Sequence, residues 1–374
     1  DQHKEETIVE YKYESQKENF ENVDSITFSA DITNEEAQIL QLFKEKEGKS
    51  LICPEAKVYQ DFLKAYSSSS GYHIFKGDLE SLAASDAVIS FGVWFQDKST
   101  ESTTLIHKVL EEKKPKFVYM HPIEDATLQT SITQFIKYEV GSEEGVAALL
   151  ADALLKDKEL PKEIEDILED LDIGYLSAES NVGEEELESM HSLIGHKTTV
   201  SLIIGSDLYM HPKAGQIAKL IALLEQYAGL HILCVPPAQN ALGVALVCDL
   251  DDRAQGRSVL YESCKEGTCV NVDKCVYVND EMKTSDVNGL NSLAKTLGLD
   301  AKKLIDYSNQ LPQEKGFKVL SNDDLKKPCI YRVIPQEQIR DFIVEEIDDL
   351  PVYDGAVIYT YKVEKPMAQE REID

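Results

Sequence analysis

Short apolar runs alternate with segments of helical spacing over residues 25–155, and this alternation predicts strands and helices in turn. Ser25 to Phe28 reads as a strand. Thr33 with Glu36 three residues on forms a capping box that opens a helix, with Ile39, Leu40, Leu42 and Phe43 inward and a stop near Gly48. Ser50 to Cys53 is a short strand ended by Pro54, Val58 to Tyr66 a helix, and the run Ser67-Ser68-Ser69-Ser70-Gly71 a loop tip. Ala87 to Phe91 and Phe117 to Met120 are two β-rich runs. The amphipathic segment between them carries Leu105, Val109 and Leu110, so the three make a βαβ unit. Ser142-Glu143-Glu144 caps a helix that runs to Leu155.

Residues 156–172 are dense in charge and predict a surface connection, helical after Pro161. A second block then repeats the plan loosely. Thr199 to Gly205 is a buried strand, His211 to Ala228 a helix with Pro212 in its first turn, and His231 to Val235 a strand; Ala241 to Cys248 is apolar enough to be buried. From Val259 the texture changes to short β-like runs (268–272, 275–278, 330–334, 356–363) and helical stretches at 289–297 and 336–349. The predicted fold class is α/β: two Rossmann-like parallel-sheet domains plus a smaller mixed α+β C-terminal region. The predicted divisions are an extended lead-in at 1–22, a first α/β domain at 23–157, a second at 158–258, and the mixed region at 259–374.

Charge narrows the function classes. Lys and Arg number 38 against 68 Asp and Glu, a net charge of −30, which would repel the phosphates of a nucleic acid or an anionic membrane. A hydrophobic content of 43% is ample for packed cores. No apolar run approaches the ~20 residues that span a bilayer. The chain opens Asp1-Gln2-His3-Lys4 with neither an initiator Met nor a signal-peptide core, which predicts a cytoplasmic chain cut from something longer. Seven scattered cysteines predict reduced thiols, not a disulfide framework.

Candidate chemistry is sparse. Cys264, Cys269 and Cys275 cluster, but none forms the close pair usual for zinc or iron–sulfur ligation, and ordinary strand and loop cysteines are the favoured reading. His121 before Pro122 and His211 before Pro212 stand at element ends where a site could lie, with no nucleophile arranged beside either. Asp251-Asp252 could hold a divalent cation or form a solvated face. Gly92 and Gly205 close the two central strands, where open α/β sheets bind ligands, and Gly205-Ser206-Asp207 could receive a ribose or phosphate. Yet Gly92 is followed by bulky Val93-Trp94-Phe95-Gln96-Asp97, with no further glycine to bring backbone N–H groups to a phosphate. Gly92, Gly205, Ser206 and Asp207 are therefore vestigial cofactor-site candidates, with packing ranked above binding and no catalytic or metal residue assigned.

Ile32-Thr33-Asn34-Glu35-Glu36-Ala37 resembles the T-N-E-E-A signature of molybdopterin-type oxidoreductases. The strand, crossover, strand and Val140-Gly141-Ser142-Glu143-Glu144-Gly145 turn of residues 85–155 look like the same superfamily. Residues 236–252 and Glu266-Gly267-Thr268-Cys269-Val270-Asn271 resemble the large peripheral-arm subunit of bacterial NADH-quinone oxidoreductase (respiratory complex I), whose phrase is E-G-T-F-x-N-x-E-G-R. Cys269 stands in place of the Phe, and Asp273-Lys274-Cys275 in place of E-G-R. The family carries [2Fe-2S] and [4Fe-4S] clusters on amino-terminal cysteine groups that do not occur in these 374 residues. The resemblance thus implies the molybdopterin-oxidoreductase-like portion without cofactors of its own. Its partners would be the other peripheral-arm subunits and a cluster-bearing amino-terminal part, at the cytoplasmic face of the inner membrane. Two alternatives stay open: part of a working, formate-dehydrogenase-like molybdopterin enzyme binding a guanine dinucleotide cofactor, and a free-standing acidic interaction protein.

Overall fold

The structure is a computed structural model that describes residues 22–32, 34–70, 75–96, 101–195, 197, 199–261, 275–276 and 319–320. The chain is α/β, with two parallel sheets covered by helices. The larger sheet has the order β5-β4-β3-β6-β7, formed by β3 (Ala87–Phe91), β4 (Lys116–Met120), β5 (Gln134–Ile136), β6 (Val200–Ile204) and β7 (His231–Cys234). Every neighbouring pair in it is parallel. All five residues of β3 are buried, as are the last four of β4 and of β6. Burial on both faces is why these strands read as continuous apolar runs and not as alternating ones. The smaller sheet joins β1 (Ser25–Phe28) to β2 (Ser50–Ile52) and to β8 (Ser258–Tyr261), again in parallel.

Strands enter these sheets in an order that local pattern does not carry. β3 pairs residue for residue with β6, from Ala87 with Val200 to Phe91 with Ile204. The expected divide at 157/158 therefore falls inside one sheet. β8, which straddles the expected divide at 258/259, lies beside β1, so the small sheet joins strands from far apart in the chain. Two apolar strands of equal length satisfy their ladders equally well across any divide, and only the global arrangement selects the partner.

Several local expectations change for identifiable reasons. α1 (Asn34–Glu47) ends at Gly48, whose φ is +65°, as its sequence implies. Ile39, Leu40 and Phe43 are buried, but Leu42 is only partly so, and Gln41 takes an inward place by bonding Asp249. Thr33, the expected cap, lies outside the described residues, and Glu36 instead accepts the Tyr261 hydroxyl at 2.8 Å. The serine run belongs to a helix: α2 (Pro54–Ser70) starts at Pro54, where the missing N–H costs nothing. Its end is held by Ser67 Oγ donating to Leu63 O (2.5 Å) and Ser68 Oγ donating to Ala65 O (2.6 Å), so hydroxyls that favour turns elsewhere bond back along the helix.

α3 (Leu79–Ala83) precedes β3, and α4 (Glu101–Lys113) links β3 to β4. α5 (Glu143–Leu155) is buried along its whole length except at Asp152. It packs against the helical layer α6 (Lys162–Glu169), α7 (Ile173–Ser180) and α8 (Glu184–Ile194). The charged stretch after Leu155 is therefore more than a connection: Ile164, Leu168, Leu176, Leu187 and Met190 turn a buried stripe inward while the charges face water. α9 (Ser206–Tyr209) follows β6, and α10 (Ala214–Tyr227) packs against both α2 and α5. Pro212 precedes α10, since the chain first makes the short turn of α9. α11 (Ala241–Val247) covers α1 and α2. Of the region beyond Tyr261, only β9 (Cys275–Val276) and β10 (Val319–Leu320), an antiparallel pair, are described. The other elements expected there, with Cys264 and Cys269, lie outside the described residues.

No helix among the described residues is long and apolar enough to cross a membrane. The edge strand β7 is closed by residues 75–78, where Gly77 N–H donates to Ile232 O at 2.7 Å. A Cβ on Gly77 would fall on that same carbonyl. Gly77→Ala should therefore push the segment off β7 and lower stability by about 2–3 kcal/mol, measured as a lower urea midpoint with unchanged slope.

Candidate functional site

In the larger sheet the chain leaves β3 toward β4 on one side and β6 toward β7 on the other, so the topological switch point lies between β3 and β6. Gly92 and Gly205 stand at the carboxyl ends of these two strands. They meet each other. A Cβ on Gly205 would lie 2.6 Å from Gly92 O and 2.9 Å from Val93 Cγ2. A Cβ on Gly92, whose φ is +65°, would lie 2.9 Å from Leu208 Cδ2 and 3.4 Å from Asp207 Cβ. The glycines thus serve the close approach of two turns, and the space a dinucleotide phosphate would take holds backbone and side chains.

Both turns fold inward over the strand ends. After β3, Val93 and Phe95 are buried, and Val93 O accepts the Tyr119 hydroxyl at 3.1 Å. After β6, Leu208 is fully buried, and Tyr209 packs on Tyr59 (centroids 5.0 Å) and Phe62 (4.7 Å) of α2. The Tyr209 hydroxyl donates to Ile204 O at 3.0 Å. Four-residue α9 is a plug more than a phosphate-binding helix start, and Ser206 and Asp207 lie in it.

The polar groups gather around this plug. His121, fully buried after β4, is stacked between Trp94 (5.3 Å, 20°) and Tyr119 (5.5 Å, 13°). Its Nε2 lies 3.3 Å from Asp207 Oδ2, which ties the β4 turn to α9. His211, also buried, receives the Lys213 N–H on Nδ1 at 3.0 Å. A backbone N–H can only donate, so the imidazole proton sits on Nε2 and is donated to Gly141 O at 2.9 Å. The same Nε2 is 3.5 Å from Glu143 Oε2. Sequence pattern marks both histidines and Asp207 separately, and the fold brings them together with Glu143. By pattern Glu143 belongs only to a cap. The signal for its role is an acidic first turn on a helix that is otherwise apolar but for Asp152, and such a helix carries those carboxyls inside.

Burial dominates the protonation of this cluster. It pushes the Glu143 carboxyl up to about 7, against the pull of the Glu143 and Gly141 backbone N–H groups and with the help of the Asp207 charge. Burial also holds the His211 imidazole below its usual range, opposed by the bond to Gly141. Just below pH 7 Glu143 is thus mostly protonated beside an imidazole that burial keeps neutral, a polar contact without the desolvation of an ion pair, and above pH 7 the carboxyl ionises.

Other candidates are used structurally. Asp251 accepts from Lys44 Nζ (2.8 Å) and Leu51 N–H (2.9 Å), while Lys57 reaches Asp252 at 3.3 Å. Burial would raise the Asp251 carboxyl, but these donors hold it below the usual range. The acidic pair, open by sequence to a cation or a solvated face, is a clamp of the 249–252 segment onto α1, β2 and α2, and among the described residues no group of three or more ligand-type side chains is placed for a metal. A shallow surface depression of about 590 Å³ lies apart from the switch point, against Lys137, Ser177, Asn181 and Glu184.

No protein-family model and no curated protein matches the chain. Among solved structures it is similar to acetylene hydratase from Pelobacter acetylenicus, at 9% identity and a TM-score of 0.48 over 58% of this chain and 32% of that one. It is also similar to the formyltransferase/hydrolase complex FhcABCD from Methylorubrum extorquens in complex with methylofuran, at 11% identity and a TM-score of 0.36 over 60% of this chain and 56% of that one. The chain therefore spans about a third of the first protein's length and about half of the second's. Superpositions at this level carry nothing about activity.

Two outcomes follow from the geometry. Gly205→Ala should overpack the junction of the two turns and cost about 1–3 kcal/mol in chemical denaturation. The pH dependence has a definite sign. Glu143 binds its proton more tightly folded than unfolded, so the stability it contributes is full below 4.5 and is lost as pH rises through about 7. His211 works oppositely, losing stability as pH falls below 6.5. Glu143→Gln should therefore gain on the wild type by on the order of 3 kcal/mol between pH 4.5 and pH 8, read from paired urea titrations.

Proposed function

We propose that this chain is a structural and docking portion of the large peripheral-arm subunit of a respiratory NADH-quinone oxidoreductase, supporting electron transfer that runs beside it without a cofactor of its own. One observation carries the reading. The strand-end crevice where an open α/β sheet would hold a nucleotide is occupied by Gly92 O, Val93, Leu208 and Tyr209 of the chain itself. The sheets keep their full apolar cores while the crevice is filled, which suits a frame better than a binding domain.

The resemblance of residues 32–37, 236–252 and 266–271 to the complex I subunit supplies the assembly. A strongly acidic chain fits neighbours with basic faces, and not nucleic acid. In this reading the partners are other peripheral-arm subunits and a cluster-bearing amino-terminal part, at the cytoplasmic face of the membrane. The redox reaction belongs to the whole assembly, and no residue of the filled crevice is assigned to it.

The purified chain should co-elute in size-exclusion chromatography with purified peripheral-arm subunits of such an enzyme. It should also contain no stoichiometric iron or molybdenum by metal analysis, and no visible absorbance band. Calorimetric titration with GDP separates this from the reading as part of a working molybdopterin enzyme: no heat is expected, and micromolar binding, or stoichiometric molybdenum, would overturn the proposal.

A further inference from the structure

The contact between Glu143 and His211 joins parts of the chain that secondary structure leaves separate. Glu143 stands in the first turn of α5, Gly141 in the turn before it, and His211 in the segment between α9 and α10. His211 has one N–H to give, on Nε2, and two oxygens near it: Gly141 O at 2.9 Å and Glu143 Oε2 at 3.5 Å. Glu143 is 4% exposed and His211 6% exposed, so water does not take over either role. The Glu143 Oε2 atom is buried and accepts no hydrogen bond from the described residues.

Among the described residues, the titratable groups that face Glu143 are His211 and Asp207, both from the α9–α10 segment, and Asp207 is itself held by His121 from the β4 turn. Of the helices packed on α5, α8 directs His191 to Asp157, beyond the carboxyl end of α5. Glu144, next along α5, is likewise buried. A negative charge on Glu143 would face the carboxylate of Asp207, with the His211 N–H the side-chain donor within reach of Oε2.

We propose that Glu143 and His211 form a proton-operated latch over the carboxyl edge of the larger sheet. With Glu143 neutral, His211 bonds Gly141 O and pins the α9–α10 segment to the turn that opens α5. With Glu143 ionised, the N–H transfers to Glu143 Oε2, because a hydrogen bond to a charged acceptor is the stronger one. The Gly141 carbonyl then loses its partner, and a carboxylate that is 4% exposed faces the charge of Asp207. One charge-assisted bond does not offset a buried, repelled charge, so the ionised state is relieved by opening to water the segment that carries exposed Met210. The plug over the switch point is thus tight on the acid side of neutrality and loosened on the alkaline side. This inference does not depend on the assembly to which the chain belongs.

Hydrogen exchange of the 374-residue chain, followed by mass spectrometry at pH 6 and pH 8.5 and corrected for intrinsic exchange, tests it. Protection of peptides covering 206–213 should fall by roughly tenfold at the higher pH, while that of β3 and β6 stays constant. Glu143→Gln, which stays neutral, should abolish the change. Asp207→Asn should move the midpoint of the change to lower pH, because the repelling charge is gone. If Glu143→Gln does not fold, as judged by circular dichroism, the Asp207→Asn shift alone decides. Equal protection at both pH values in the wild type, the same pH response in Glu143→Gln, or an unmoved midpoint in Asp207→Asn would each overturn the latch.

Discussion

The turns after β3 and β6 occupy one another's space, and the rest of the carboxyl edge depends on that contact. It requires glycine at both strand ends, at Gly205 because a Cβ would lie 2.6 Å from Gly92 O and at Gly92 because its φ is +65°. Once the two turns interlock, Val93 and Leu208 have only the interior to enter, and Tyr209 is turned onto α2. A strand-end glycine usually suggests room for a ligand. The same lack of a side chain also lets two pieces of protein approach closely, and that second use is the one this chain makes of Gly92 and Gly205.

Polar groups around the plug follow from its burial. His121 is sandwiched between two aromatic rings and faces Asp207, while His211 gives its one proton to a backbone carbonyl beside a carboxyl that burial pushes up to about 7. In a reacting site groups shifted as Glu143 and His211 are would surround a space for substrate. Among the described residues they instead surround packed side chains, so their perturbation reads as a consequence of closing the edge. The polar contacts specify which turns meet, and the apolar residues supply most of the energy of holding them there.

A second set of long-range contacts gathers the elements around the small sheet. The segment after α11 returns to α1 and β2 through Asp249 and Asp251, and Tyr261 reaches Glu36 from the far end of the small sheet's third strand. Asn240 donates to Ile32 O from the start of α11. These bonds gather polar residues that look, along the chain, like solvated acidic runs. Their placement makes the small sheet a closure of the chain from Ser25 to Tyr261.

Residue pattern alone settled the class of the protein, most of its strands, and the bulk after Gly92 that argued against an open phosphate loop. These are local consequences of apolar periodicity, glycine and side-chain volume, each acting within a few residues. Tertiary structure alone decided that β6 lies beside β3, that the serine run ends a helix, that the charged stretch folds into a layer over α5, and that Asp251 is clamped by lysine. It also decided that Glu143, His211, Asp207 and His121 converge. Those outcomes turn on which surfaces are buried against which, and a chain read residue by residue carries no record of the partner that a distant strand will choose.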